Sequence, residues 1–110
     1  MEQITSYSEV SEKIANNRRS LMLIYKSGHQ ESECAFKNLE LALQTTKKIS
    51  AYVVDVNMVL DIHPKYGVTQ VPSLLVFKKN KFKSVAEGCQ NNNDFKSVLE
   101  SIIHMSNFKK

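Results

Sequence analysis

Apolar and polar positions along this chain change period several times, and each change marks an element. Leu21-Met22-Leu23-Ile24-Tyr25 is an unbroken apolar run of strand length, the pattern of a strand covered on both faces within a mostly parallel sheet. From Glu31 the spacing turns helical: Phe36, Leu39 and Leu43 stand at i, i+3 and i+7, a stripe that fades at Thr45-Thr46-Lys47-Lys48, where the lysines suit the negative end of a helix dipole. Ala51-Tyr52-Val53-Val54-Asp55-Val56 is rich in β-branched residues and reads as a second central strand. Upstream, Gln3 to Thr5 reads as a short edge strand. Ser8 then offers an N-cap for a helix with Val10, Ile14 and Ala15 inward, running to Asn16 and closed by the polar loop Asn17 to Ser20.

The second half continues the alternation. Leu60 to Tyr66 reads as a short helix ended by Gly67. Ser73 to Lys78 and Lys81 to Ala86 flank Lys79-Asn80, a tight turn, and so form an antiparallel hairpin. The asparagines of Gln90-Asn91-Asn92-Asn93 can cap a last helix with Asp94 in its first turn and Phe95, Val98, Leu99, Ile102 and Ile103 on its inner face. The resulting order is β-α-β-α-β-α-β-β-α. It implies an α/β fold, a mixed central sheet of about four to five strands flanked by about four helices. Residues 1–105 form one domain and 106–110 a frayed basic tail, with no repeat, linker or low-complexity segment.

Composition narrows the class. A chain of 110 residues with 42% apolar and 24% charged residues is an ordinary globular domain with room for one core. Its net charge of +4 is spread along the sequence without an interleaved aromatic platform, which argues against nucleic acid as a partner. No basic segment followed by an apolar run opens the chain, and no stretch approaches a membrane span, so a cytoplasmic protein without a membrane partner is expected. The cysteines Cys34 and Cys89 are too few and too far apart to read as a disulfide framework, and reduced thiols are expected. His29, His63 and His104 show no ligand-pair spacing with each other or with the cysteines, so neither a metal nor another cofactor is expected.

The segment Lys65-Tyr66-Gly67-Val68-Thr69-Gln70-Val71-Pro72-Ser73-Leu74-Leu75-Val76-Phe77 resembles the K-Y-G-[IV]-x-x-[IV]-P-T-L-L-[LV]-F stretch of thioredoxins, and the order of elements is also that of the thioredoxin fold. The similarity runs from Leu21 to Ile103 and is strongest from Val68 to Gly88. It implies that Val71-Pro72 is the family's cis-proline dipeptide, in which the residue before the proline offers its backbone to an extended peptide. It also implies that Gly88 borders that groove and Cys89 lies on its rim.

The resemblance breaks at the reactive site. Aligned back from Tyr25, Gln30-Glu31-Ser32-Glu33 falls where thioredoxins carry C-G-P-C, and Lys26 and His29 fall where tryptophans commonly stand. Ile24 and Val53 replace the aspartate and lysine that assist proton transfer in that family. A register moved by one residue would bring Cys34 to the resolving-cysteine position, but it would put Lys37, Glu40 and Gln44 on core positions. The unshifted register buries Phe36, Leu39 and Leu43, with Glu40 its one awkward occupant, and helix periodicity favours it.

Disulfide exchange requires an attacking thiolate and a second thiol to resolve the mixed disulfide. Gln30 and Glu33 supply neither. Cys34 is the candidate nucleophile near the loop: a helix dipole favours its thiolate, while Glu31 and Glu33 disfavour it and have the simpler task of stabilising the helix start. A bridge from Cys34 to Cys89 needs α-carbons within about 7 Å, which spacing in sequence does not reveal. No other enzyme motif is present. The expectation is a thioredoxin-like domain without its dithiol that binds a polypeptide or partner protein at the groove formed by Gly28 to Ser32, Val71-Pro72 and Gly88-Cys89. The alternatives are a monothiol thiol–disulfide oxidoreductase, or redox-homeostasis protein, using Cys34, and a subunit that shapes a larger assembly.

Overall fold

The computed structural model describes residues 1–15, 19–46, 49–60, 62–78 and 81–103. The Lys79-Asn80 turn, the Lys47-Lys48 helix end, His104 and the 106–110 tail fall outside the described residues, as do the side chains of Ala15, His63 and Ile103. The elements are β1 (Glu2–Ile4), α1 (Tyr7–Ala15), β2 (Ser20–Tyr25), α2 (Gln30–Gln44), β3 (Ser50–Asp55), α3 (Ile62–Lys65), β4 (Ser73–Lys78), β5 (Lys81–Glu87) and α4 (Asn92–Ile103). The strands form one sheet in the order β1-β3-β2-β4-β5. β1, β3 and β2 run parallel, and β4 and β5 are antiparallel to their neighbours.

The apolar run of β2 is explained by two cores, one on each face of the sheet. Successive strand side chains point to opposite faces. Leu21 and Leu23 accordingly meet Ala35, Leu39 and Ala42 of α2 and Phe95, Leu99 and Ile102 of α4. Met22 and Ile24 point the other way, toward Val10 and Ile14 of α1 and Ile62 of α3. Tyr66 closes that second core edge-on against Phe77 and Phe82. Burial, followed by the neighbouring Tyr7, pushes its hydroxyl up to about 12.

Two local expectations shift. The first helix begins two residues earlier than Ser8 suggests: Ser6 Oγ accepts the Glu9 amide at 3.3 Å while Glu9 reaches back to the Thr5 amide at 2.9 Å. This reciprocal arrangement satisfies two donors that a single serine would not. On α2 the centre of the buried stripe is Ser32, Ala35, Leu39 and Ala42, with Phe36 and Leu43 half-buried beside it. The line of contact is thus carried by Leu39 and three small residues, and the small ones let α2 approach the sheet and α4 closely. Lys37 and Gln44 are exposed, as the unshifted register requires, and Glu40, the awkward occupant of that register, is exposed as well and lies 3.8 Å from the N-terminal amine. The last helix is capped as expected, by Asn91 Oδ1 on the Asp94 amide at 2.8 Å.

Candidate functional site

The candidate site gathers at the ends of β2 and β3, where the chain turns through Lys26 to His29 into α2. Three of the four side chains that stand where a thiol motif is absent, those of Glu31, Ser32 and Glu33, are tied to backbone. Ser32, 1% exposed, accepts the Lys26 amide at 3.1 Å, and Glu33 accepts the Gly28 amide at 3.1 Å. Glu31 Oε2 accepts the Cys89 amide at 3.3 Å. His29 is the exposed N-cap of α2 and makes no side-chain capping bond, and Gln30 is the exposed first helical residue. Ser32 and Glu33 thus pair amides of the loop that enters α2, and Glu31 ties α2 to the segment after β5.

Beneath the loop sits Asp55, 4% exposed at the end of β3. Its Oδ1 accepts the amides of Ser27 at 3.2 Å and Asn57 at 3.0 Å. Burial alone would raise this carboxyl, but hydrogen bonds from the Ser27 hydroxyl and from the Asn57 and Ser27 amides outweigh it and hold it below its ordinary 3.8. A lowered value means that the anion stabilises the fold. That contribution is full above pH 3.8 and is lost as pH falls through the depressed value. Asp55→Asn is expected to cost about 1–2 kcal/mol at pH 7, as befits hydrogen bonds to a charge, and to flatten the acid side of the stability profile. Urea unfolding between pH 2 and 7 checks this, and parallel wild-type and variant profiles would refute it.

The Val71-Pro72 peptide bond is cis. Pro72 is buried, Val71 is half-buried, and the Pro72 carbonyl accepts the Gly88 amide at 2.9 Å. Gly88 adopts φ +75°, and a β-carbon there would come within 2.8 Å of Glu31 Oε2. Glycine is required by the backbone conformation, whereas the Glu31 carboxylate is the far end of a flexible exposed side chain that can give way. The structure thus brings Glu31, Gly88 and Cys89 into contact and sets Pro72 next to Gly88.

The cysteines are not reduced, and this corrects the reading of the sequence. Cys34 and Cys89 form a disulfide across 55 residues, with α-carbons 5.7 Å apart. The physical reason is topological: α2 and α4 share one face of the sheet, so the early turns of α2 lie beside the loop that leads from β5 to α4. In this bonded state Cys34 is not a free thiol. Asn38, one turn after Cys34, directs Nδ2 at Cys89 Sγ (3.5 Å), at Cys34 Sγ (3.7 Å) and at the Gln90 carbonyl (2.9 Å).

No protein-family model matches the sequence, and no curated protein is significantly similar to it. Solved structures do match. A Plasmodium falciparum thioredoxin superposes with a TM-score of 0.81 at 21% identity, covering 92% of this chain and 98% of its own. The chain has the thioredoxin fold. A mutant thioredoxin from Halobacterium salinarum NRC-1 gives 0.81 at 19% identity over 96% of this chain and 93% of its own, and a Fasciola hepatica thioredoxin gives 0.77 at 15% over 91% and 98%. On this thioredoxin fold the residues that sequence reasoning missed are Asn38, Asp55, Ser27 and Asn57. Asn38 had one available signal, its i+4 spacing from Cys34. The others act through a local hydrogen-bond network, which leaves no periodic trace. Among the described residues no three metal-ligating side chains come together, and no helix is long and apolar enough to cross a membrane.

Proposed function

We propose that this thioredoxin-fold chain acts by binding: it holds an extended polypeptide segment along Val71-Pro72, between the Gly28 to Ser32 loop and the Gly88-Cys89 wall. The observation that supports this most directly is the main chain of Val71. It precedes β4, its side chain is half-buried, and among the described residues neither its amide nor its carbonyl forms a hydrogen bond. A donor and an acceptor side by side on an accessible segment are what a peptide needs in order to add as a strand. The wall opposite is kept in place by the Gly88 to Pro72 hydrogen bond and the Glu31 to Cys89 hydrogen bond. Gln30 and Glu33 bring no thiol to the groove, so a bound segment leaves without exchange at those positions.

Selection from a random peptide library followed by hydrogen exchange tests this. Selected peptides are expected to slow exchange of the Val71 amide at least tenfold, and N-methylation of the peptide residue facing it is expected to abolish binding, because strand addition depends on main-chain groups. Peptides that protect other segments while leaving Val71 unchanged would defeat the proposal.

A further inference from the structure

The Cys34–Cys89 disulfide has the asymmetry of a bond open to attack from one side. Cys34 is exposed on α2, whereas Cys89 is half-buried and packs against the core shared by α2 and α4. Access decides which sulfur of a disulfide an incoming thiolate reaches, and stabilisation of the departing sulfur decides how readily the bond breaks. Both point the same way here. Asn38 Nδ2, a donor with no acceptor capacity, stands nearer to Cys89 Sγ at 3.5 Å than to Cys34 Sγ at 3.7 Å. Its position is fixed by a third contact, 2.9 Å to the Gln90 carbonyl. The Glu31 carboxylate on the Cys89 amide works against negative charge at the departing sulfur, which leaves Asn38 as the group that receives it.

We propose that Cys34–Cys89 is a redox couple addressed by small thiols, with Cys34 the sulfur attacked, Cys89 the sulfur that leaves and Asn38 the donor that holds it. A thiolate attacks Cys34 Sγ, a new sulfur–sulfur bond forms there, and the old bond's electron pair departs with Cys89 Sγ, which takes a proton from water. The protonated Cys89 thiol has the Gln90 carbonyl 3.7 Å away as an acceptor. A second small thiolate then attacks the mixed disulfide at the small-thiol sulfur and releases Cys34. Two small thiols are oxidised to one disulfide, and the protein gains two electrons and two protons as two thiols. The site differs from a C-x-x-C pair in joining two separate elements, so its redox state alters the wall formed by Gly88 to Gln90. The inference goes beyond the binding role and does not depend on it.

The folded protein is treated with limiting 2-mercaptoethanol, quenched by alkylation and mapped by mass spectrometry. The expected product carries the mercaptoethanol adduct on Cys34 and the alkyl group on Cys89, with a rate first order in thiol. Asn38→Leu is expected to slow this native reduction about tenfold, the worth of one hydrogen bond to a charged group, and to leave the rate in denaturant unchanged. A merely structural asparagine would give the opposite result, because loosening the site speeds reduction. Adducts on Cys89, a rate independent of thiol concentration and set by unfolding, or an Asn38→Leu rate equal to or above wild type would each overturn the proposal.

Discussion

Cys89→Ser is expected to lower the stability of the chain by about 4 kcal/mol, the loop-closure value for a cross-link spanning 55 residues. Total stability for a domain of this size is about 5–15 kcal/mol, so the loss is a large share of it and corresponds to a fall of roughly 15 °C or more in melting temperature. Cys34→Ser and the double replacement should be destabilised equally, because each removes the same single bond and further change adds nothing. Wild type unfolded in reductant should match them. That equality separates the cross-link from packing lost at either cysteine, which would make the double variant worse than the singles. Guanidinium unfolding of the four samples checks it, and variants within about 1 kcal/mol of oxidised wild type would show that the bond does not constrain the unfolded chain.

The disulfide also shows where sequence reasoning stops. The strands were legible because a buried strand must be apolar on both faces, and Leu21 to Ile24 have no alternative placement. The register of α2 was legible for a similar reason: one shift by a residue would have buried Lys37, Glu40 and Gln44. A bond between Cys34 and Cys89 has no such local signature. Helix spacing put Cys34 near a helix start, and resemblance put Cys89 beside the groove, but their 5.7 Å separation follows only when α2 and α4 share a sheet face. The polar ties were equally silent. Ser32, Glu31 and Glu33 were read as a lost thiol motif and a helix dipole pattern, whereas each accepts one particular amide. Capping at Ser6 was missed because Ser6 and Ser8 are both acceptable caps by type, and the Glu9 carboxylate decides between them.

Those ties define what a restored dithiol would meet. Gln30→Cys with Glu33→Cys, made in a background where Cys34 and Cys89 are alanine so that no other pairing competes, is expected to create disulfide reductase activity. The two positions are the first and fourth residues of α2, both exposed and on the same side of the helix. A thiol at a helix start is acidified by the dipole and becomes a nucleophile near neutral pH. Turnover should be weak, since Ile24 and Val53, 0% and 2% exposed, offer no group to carry a proton. It should also come with a looser loop, because Glu33→Cys takes away the acceptor of the Gly28 amide. Thiol titration after mild oxidation should find the new pair closed, and insulin reduction with dithiothreitol should rise above the rate of the alanine background. If the pair stays open under oxidation, Gln30 and Glu33 do not stand where the family's thiols stand, and the alignment that equates Gln30-Glu31-Ser32-Glu33 with C-G-P-C fails.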